Sequence, residues 1–216
     1  MVCLKLSNYK GGKIILASAS PRRAELLDLI GLPFERVVSR VDEGDLVEKM
    51  CKTSPAALDP SHYVLELSRR KAEEVARRVG SGLVLGVDTV VVLNGQILGK
   101  PRDPQEAKEM LSRLSGRTHK VITGLALVES NTGRYISDFV STAVVMRSLS
   151  RDQIEGYVAT GEPLDKAGAY AIQGKGALLV ERIDGCFYNV VGLPLAKLSE
   201  MLEKMGYSGL MGKRWR

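Results

Sequence analysis

Cysteine is scarce. Its three residues, Cys3, Cys51 and Cys186, lie far apart and form no CxxC pair. That argues against a disulfide framework or a zinc site and fits a reducing compartment. Histidine is scarcer, with only His62 and His119. A histidine-ligated metal centre is therefore not expected, and no Ser–His–Asp or Cys–His set is available for nucleophilic catalysis. Any metal is expected to be a hard cation on carboxylates, most simply Mg²⁺, with Mn²⁺ or Co²⁺ as alternatives. No run of about 18 apolar residues occurs, so no membrane-spanning helix is expected. The opening MVCLKLSNYKGGK has neither a long apolar stretch nor a cleavage pattern and does not read as a signal peptide. A cytoplasmic location is the expectation. There is no internal repeat and no low-complexity segment.

What is present suits an α/β domain with a substantial core: 216 residues, 44% of them hydrophobic. The net charge of +6 allows nucleic acid, a membrane surface or a small anionic substrate as partner. The cationic clusters Arg69-Arg70-Lys71 and Arg77-Arg78 read as solvated helix faces. Residues 208–216, ending in Lys213-Arg214-Trp215-Arg216, read as a short basic tail that can be disordered.

Periodicity and punctuation order the elements. Strand 13–18 leads to helix 21–30, closed by Gly31, and to strand 34–39. Residues 41–60 are polar and read as a long loop. Helix 61–79, strand 83–93, strand 96–99 and helix 104–114 follow, the last opened by Asp103-Pro104 with Ala107, Met110, Leu111 and Leu114 as its apolar stripe. Strands are expected near 119–128 and 137–146, then a helix from Ser150 to Thr160. Strands near 177–183 and 186–191 precede a last helix, 194–205. The alternation, with hairpins mixed in, predicts a mixed sheet flanked by helices.

Four stretches resist a purely structural reading. In LASASPRR, Ser20 is placed as N-cap and Pro21 as the first helical residue, so Arg22 and Arg23 fall in the first turn. That end of a helix is already positive. An anion held by backbone N–H groups, the Ser18 and Ser20 hydroxyls and both guanidiniums would resolve the conflict. Lys71 falls near the middle of the apolar face formed by Val64, Leu67, Ser68, Ala72, Val75 and Val79, so it either snorkels to the surface or projects inward. Asp88 lies in the strongly apolar run LVLGVDTVVVL and needs a partner there. The Asn94-Gly95 hairpin sets Thr89 opposite Lys100, which brings Lys100 near Asp88, although strict alternation puts the two on opposite faces. Last, GEPLDKAGAYAIQGKG is glycine-rich without being a Walker A loop, and Gln173 offers a donor and an acceptor side by side, matching the N3–H and carbonyl of uracil or thymine. Arg22, Arg23, Lys71 and Lys100 as cations, Asp88 as acid and Gln173 as base reader point to a small polyphosphate, most simply a nucleotide.

These stretches, with MLSRLSGRTHKVITGLAL and VVGLPL, together resemble the Maf family of nucleoside triphosphate pyrophosphatases over nearly the whole chain. The resemblance implies one domain of two lobes around an active cleft, similar to the inosine triphosphatase-like pyrophosphatases, and hydrolysis of a nucleoside triphosphate to the monophosphate and pyrophosphate with a divalent cation. It makes Asp88 the proton acceptor or a metal ligand. Arg22, Thr89 and Gln173 become specificity residues. Ser18, Arg23, Lys71 and Lys100 become phosphate contacts beside Ser20, Asp165 and Lys166 further cleft residues, and Glu43 a second active-site carboxylate. SPRR together with DKAGAYxIQG resembles the branch acting on dTTP and UTP, which implies removal of modified pyrimidine nucleotides; a sister branch acts on 7-methyl-GTP. Two positions depart from the usual pattern, Val87 in GVDT and Ala171 in DKAGAYAIQG, and neither removes a functional group. A homodimer is implied at family level. The rival of another class is a nucleic-acid-binding or cell-division regulatory protein, which would have no use for a carboxylate buried beside cations.

Overall fold

The computed structural model describes residues 14–42 and 59–207. Glu43, most of the 41–60 loop, and the basic tail from 208 lie outside the described residues. The described elements run β1 (Ile14–Ala17), α1 (Pro21–Leu29), β2 (Phe34–Arg36), α2 (Pro60–Ala76), β3 (Leu83–Leu93), β4 (Gln96–Leu98), α3 (Pro104–Leu114), β5 (Thr118–Glu129), β6 (Tyr135–Met146), α4 (Arg151–Val158), three 3₁₀ turns (Glu162–Asp165, Ala167–Ala169, Gly174–Leu179), β7 (Val180–Asp184), α5 (Phe187–Val191) and α6 (Leu195–Lys204).

The strands form one seven-stranded mixed sheet in the order β2-β1-β3-β5-β6-β7, with β4 paired to β3. β1 runs parallel to β2 and β3, with Ala17 opposite Gly86. Its IILA sequence is buried throughout, as a parallel strand covered on both faces requires. β4 returns antiparallel on β3 with Leu93 opposite Gln96. Asn94 and Gly95 take φ of 51° and 80°, the two positive values that a type I′ turn demands. The helices start where the sequence marks them. Asp59 caps α2 by accepting from the Ser61 and His62 N–H groups, Asp103 caps α3, and Ser150 and Gln153 form a capping box at α4.

Two expectations are corrected. The stretch expected as a strand at 177–183 is a 3₁₀ turn to Leu179, and the strand begins only at Val180. The expected strand 186–191 is the short helix α5. A five-residue run, here with Asn189 inside it, carries no period that separates strand from helix, and Gly185 and Gly192, at φ of 129° and 122°, cut it off from the sheet on both sides.

The described chain divides into two compact units. One holds the residues up to Asp88, Gly124–Phe139 and those from Gly192; the other holds Thr89–Thr123 and Val140–Val191. In the first, Ile15, Ala17, Ala72, Val75, Val84, Ala126 and Val128 form a core between α2 and the sheet. Glycines set its spacing. A Cβ on Gly86 would stand 2.1 Å from the Ser68 carbonyl oxygen, and one on Gly124 would stand 2.5 Å from that of Val64, so α2 lies directly against the backbones of β3 and β5. Among the described residues, no helix is long and apolar enough to cross a membrane.

Candidate active site

In the first unit, the SPRR turn, α2 and the end of the β3 segment meet. α1 begins as expected, with Ser20 at the N-cap position and Pro21 in the first turn, but the Ser20 side chain makes no cap bond. Its N–H instead donates to Ser18 Oγ at 3.2 Å. Ser18 is buried, and its Oγ also accepts from Arg23 Nη1 at 2.9 Å. Arg23 reaches further: Nη1 donates to the Val87 carbonyl at 2.9 Å and Nε to the Gly192 carbonyl at 3.0 Å. Arg36 supports the turn from β2, donating through Nε to the Ser18 carbonyl at 2.9 Å and through Nη2 to that of Ala19. Arg22 stands one residue earlier in the first turn of α1 and is half-buried.

Asp88 is 7% exposed. The partner it needs comes from α2: Lys71 Nζ donates to Asp88 Oδ1 at 2.8 Å, and the two side chains are 12% and 10% exposed. Lys71 therefore projects inward rather than snorkelling. Gly86 explains why it can. Residues 86 and 88 share a face of β3, and the missing side chain at 86 lets Ser68 and Ala72 close on the strand, bringing Lys71 beside the carboxylate. The hairpin register leads toward Thr89 opposite Lys100, but the ladder stops at Val91 and Leu98, short of Asp88. Of the two unusual family positions, Val87 acts through its carbonyl, as Arg23's acceptor.

The second unit holds the other sequence-marked residues. Thr89 Oγ1 lies 2.9 Å from Thr123 Oγ1. Thr123 donates to the Asn189 carbonyl, and the fully buried Asn189 donates through Nδ2 to the Val121 carbonyl and to Thr142 Oγ1, both at 2.9 Å. Thr89 thus rests on a buried polar chain, which orders it. Lys100 is exposed, and the neighbouring Gly99 carbonyl accepts from the Gly168 N–H at 2.9 Å. Gly168, at φ 68° against the Val91 side chain, joins the glycine-rich segment to the hairpin end. Lys166 pairs with Asp165; the lysine side chain is 15% exposed and the carboxylate 70%. Gln173 is half-buried between Ile172 and the third 3₁₀ turn. The other family departure, Ala171, again acts through its backbone, its N–H donating to Tyr157 Oη at 3.2 Å.

Sequence reasoning passed over four polar residues of this unit: His119, Asn189, Tyr157 and Glu162. His119 Nε2 lies 2.7 Å from Tyr170 Oη, ring edge to ring face, and is 2% exposed. Burial pushes its pKa down to about 4 and pushes that of Tyr170 up. Protonation would also need an acceptor at Nδ1, which has none among the described residues. Between pH 6.5 and about 4 the unfolded chain therefore binds a proton that the folded chain refuses. Stability is expected to fall as pH drops through that window, by about 3 kcal/mol in total. His119→Gln should flatten this part of the pH profile in urea titrations. An unchanged slope would place the acid sensitivity elsewhere.

No group of three or more His, Cys, Asp or Glu side chains is placed to hold a metal among the described residues. An all-protein metal cage built from the described residues therefore does not fit. A single buried carboxylate does suit Mg²⁺ held mainly by a substrate's phosphates, which is its habitual mode, and Asp88 is that carboxylate.

Known proteins agree with the motifs. The family described as Maf-like protein matches residues 13–205. A dTTP/UTP pyrophosphatase of Moorella thermoacetica is 52% identical over 194 residues, 90% of this chain and 95% of that protein. Those of Methanococcoides burtonii and Caldicellulosiruptor saccharolyticus, named the same, are 50% and 44% identical over 91% and 93% of this chain, and 96% and 98% of their own length. A chain matched from its first described strand to its last helix, at this identity, belongs to the Maf family.

Proposed function

We propose that the protein hydrolyses dTTP and UTP, and modified pyrimidine analogues, to the monophosphate and pyrophosphate. The observation that carries the reading is the Lys71–Asp88 pair, a buried carboxylate at hydrogen-bond distance from a cation, beside a helix-start turn of the SPRR type. Relatives named dTTP/UTP pyrophosphatase at 44–52% identity support the choice of base.

In this mechanism water attacks the α-phosphorus and pyrophosphate leaves. An Asp88 carboxylate oxygen orients the water and takes its proton. Lys71 keeps that carboxylate in place and, with Lys100 and the SPRR turn, offsets charge on the phosphates by positioning and electrostatics. Arg23, fixed on Ser18 Oγ and the Val87 carbonyl, holds the turn against the strand that carries Asp88. Arg22, Thr89 and Gln173 select the base, with the Gln173 amide reading N3–H and a carbonyl. Asp88 together with the substrate's phosphates would hold Mg²⁺. When bound, the ion neutralises phosphate charge and polarises the attacked centre. A homodimer and a cytoplasmic location belong to the same reading, and light scattering of the purified protein tests the first.

Pyrophosphate release with Mg²⁺ from dTTP, UTP, 7-methyl-GTP and ITP tests the function. Release from dTTP and UTP is the expected result, and Gln173→Ala should erode the pyrimidine preference. Preference for 7-methyl-GTP would keep the chemistry and overturn the base assignment. No release from any of the four would overturn the reaction.

A further inference from the structure

We propose that Glu162 is a positioning residue for Gln173: its carboxylate shapes the base-reading loop without touching the substrate. The proposal rests on the reading of Gln173 as base reader.

Glu162 follows Gly161, at φ 74°, and opens the first 3₁₀ turn. In the sequence it looks like one more loop carboxylate. In the structure both its oxygens are engaged. Oε1 accepts from Tyr157 Oη at 2.9 Å and from the Gly176 N–H at 3.0 Å. Oε2 accepts from the Lys175 N–H at 3.1 Å. Tyr157 Oη in turn accepts from the Ala171 N–H at 3.2 Å. The chain is thus tied to one carboxylate on both sides of Gln173, at Ala171 before it and at Lys175 and Gly176 after it.

Three features separate this from an incidental surface contact. The two N–H groups at 175 and 176 lie at the start of the third 3₁₀ turn, where unsatisfied donors favour an anion. Space is reserved for the carboxylate. A Cβ on Gly174, which also has φ 67°, would stand 2.9 Å from Glu162 Oε2, and one on Gly176 would stand 2.6 Å from Tyr157 Oη and 2.2 Å from the Ala171 carbonyl. The charge is also kept. Burial works to raise the Glu162 pKa, but the Gly176 N–H, the Tyr157 hydroxyl and the Lys175 N–H outweigh it and hold the group below the ordinary glutamate value. A fixed anion with three donors on it defines where residues 171–176 run, and hence where the Gln173 amide points. Small displacements of a reading group are costly, because placement within about 1 Å decides whether its hydrogen bonds form.

The test is Glu162→Gln, which keeps the size but puts an NH₂ group against N–H donors. KM for dTTP and UTP is expected to rise roughly tenfold with kcat changing much less, the pattern of lost binding rather than lost chemistry. The dTTP-to-ITP ratio of kcat/KM should fall by a similar factor. Glu162→Gln combined with Gln173→Ala should discriminate no worse than Gln173→Ala alone, since both remove one function. Tyr157→Phe, which removes the hydroxyl joining Glu162 to Ala171 and leaves the Lys175 and Gly176 N–H bonds to the carboxylate, should shift the ratio in the same direction and serves if Glu162→Gln does not fold. A uniform loss on every substrate, or additive effects in the double variant, would make Glu162 structural only and overturn the proposal. If Gln173→Ala changes the ratio and neither Glu162→Gln nor Tyr157→Phe does, the positioning role alone falls. If Gln173→Ala leaves the ratio unchanged, the base-reader assignment falls, and the positioning role with it.

Discussion

Asp88→Asn is expected to lower kcat for dTTP by roughly 10²–10⁴-fold, the usual contribution of a positioned general base, in a protein that still folds. The two halves of that statement have different origins. Activity fails because an amide cannot accept the water's proton or bring negative charge to a cation. Folding survives because the amide oxygen can still accept from Lys71 Nζ, which now donates at 2.8 Å. What is lost is the charge opposite a lysine only 12% exposed. Removing one partner of a buried pair outright costs about 3–5 kcal/mol, and a neutral acceptor left in place should hold the loss nearer 2 kcal/mol, within the range for a hydrogen bond to a charged group. Steady-state pyrophosphate release and urea denaturation on the same preparation check both halves. A folded Asn variant with wild-type turnover would remove Asp88 from the mechanism.

Gly86→Val is expected to destabilise the first unit strongly. Even one added carbon would stand 2.1 Å from the Ser68 carbonyl oxygen and 2.8 Å from the Ala72 nitrogen. These are backbone atoms of a helix, with no flexible end to swing aside. Overpacking commonly costs about 1–3 kcal/mol, and contact with backbone on this scale should put Gly86→Val at about 3 kcal/mol or more. Activity should fall as well, because pushing α2 off the sheet draws Lys71 away from Asp88. Gly80→Ala is the control: no atom lies within 4 Å of a Cβ there, so its denaturation midpoint should stay close to wild type. A Gly86→Val midpoint equal to that of the control would overturn the close-packing account.

These two residues also show what sequence could and could not tell. Local rules were sufficient wherever a residue's job is set by near neighbours. Asn94-Gly95 fixed the hairpin and its register; Asp103-Pro104 and the stripe to Leu114 fixed α3; an aspartate in LVLGVDTVVVL had to have a partner. Which partner was another matter. Counting across the hairpin favoured Lys100, whereas Lys71 arrives from a helix whose depth depends on Gly86, and no local pattern reports that depth. Arg23 repeats the lesson. At a helix start it reads as an anion ligand, yet its guanidinium also grips carbonyls 64 and 169 residues away. The run at 187–191 was too short to show a period. Glu162 carried no visible mark because two of its three partners are backbone N–H groups, which every residue but proline has.

The grip of Arg23 on Gly192 bears on how the protein is made. A ribosome adding about 5–20 residues per second finishes the SPRR turn, then needs roughly 10–30 s to add the 169 residues separating Arg23 from its acceptor. Throughout that interval the arginine sits on the nascent chain without its Gly192 acceptor. A product terminated before Gly192 would contain Ser18, Lys71 and Asp88 and still lack the carbonyl that accepts from Arg23 Nε. A brace on a helix start translated early thus waits until 169 further residues have been added.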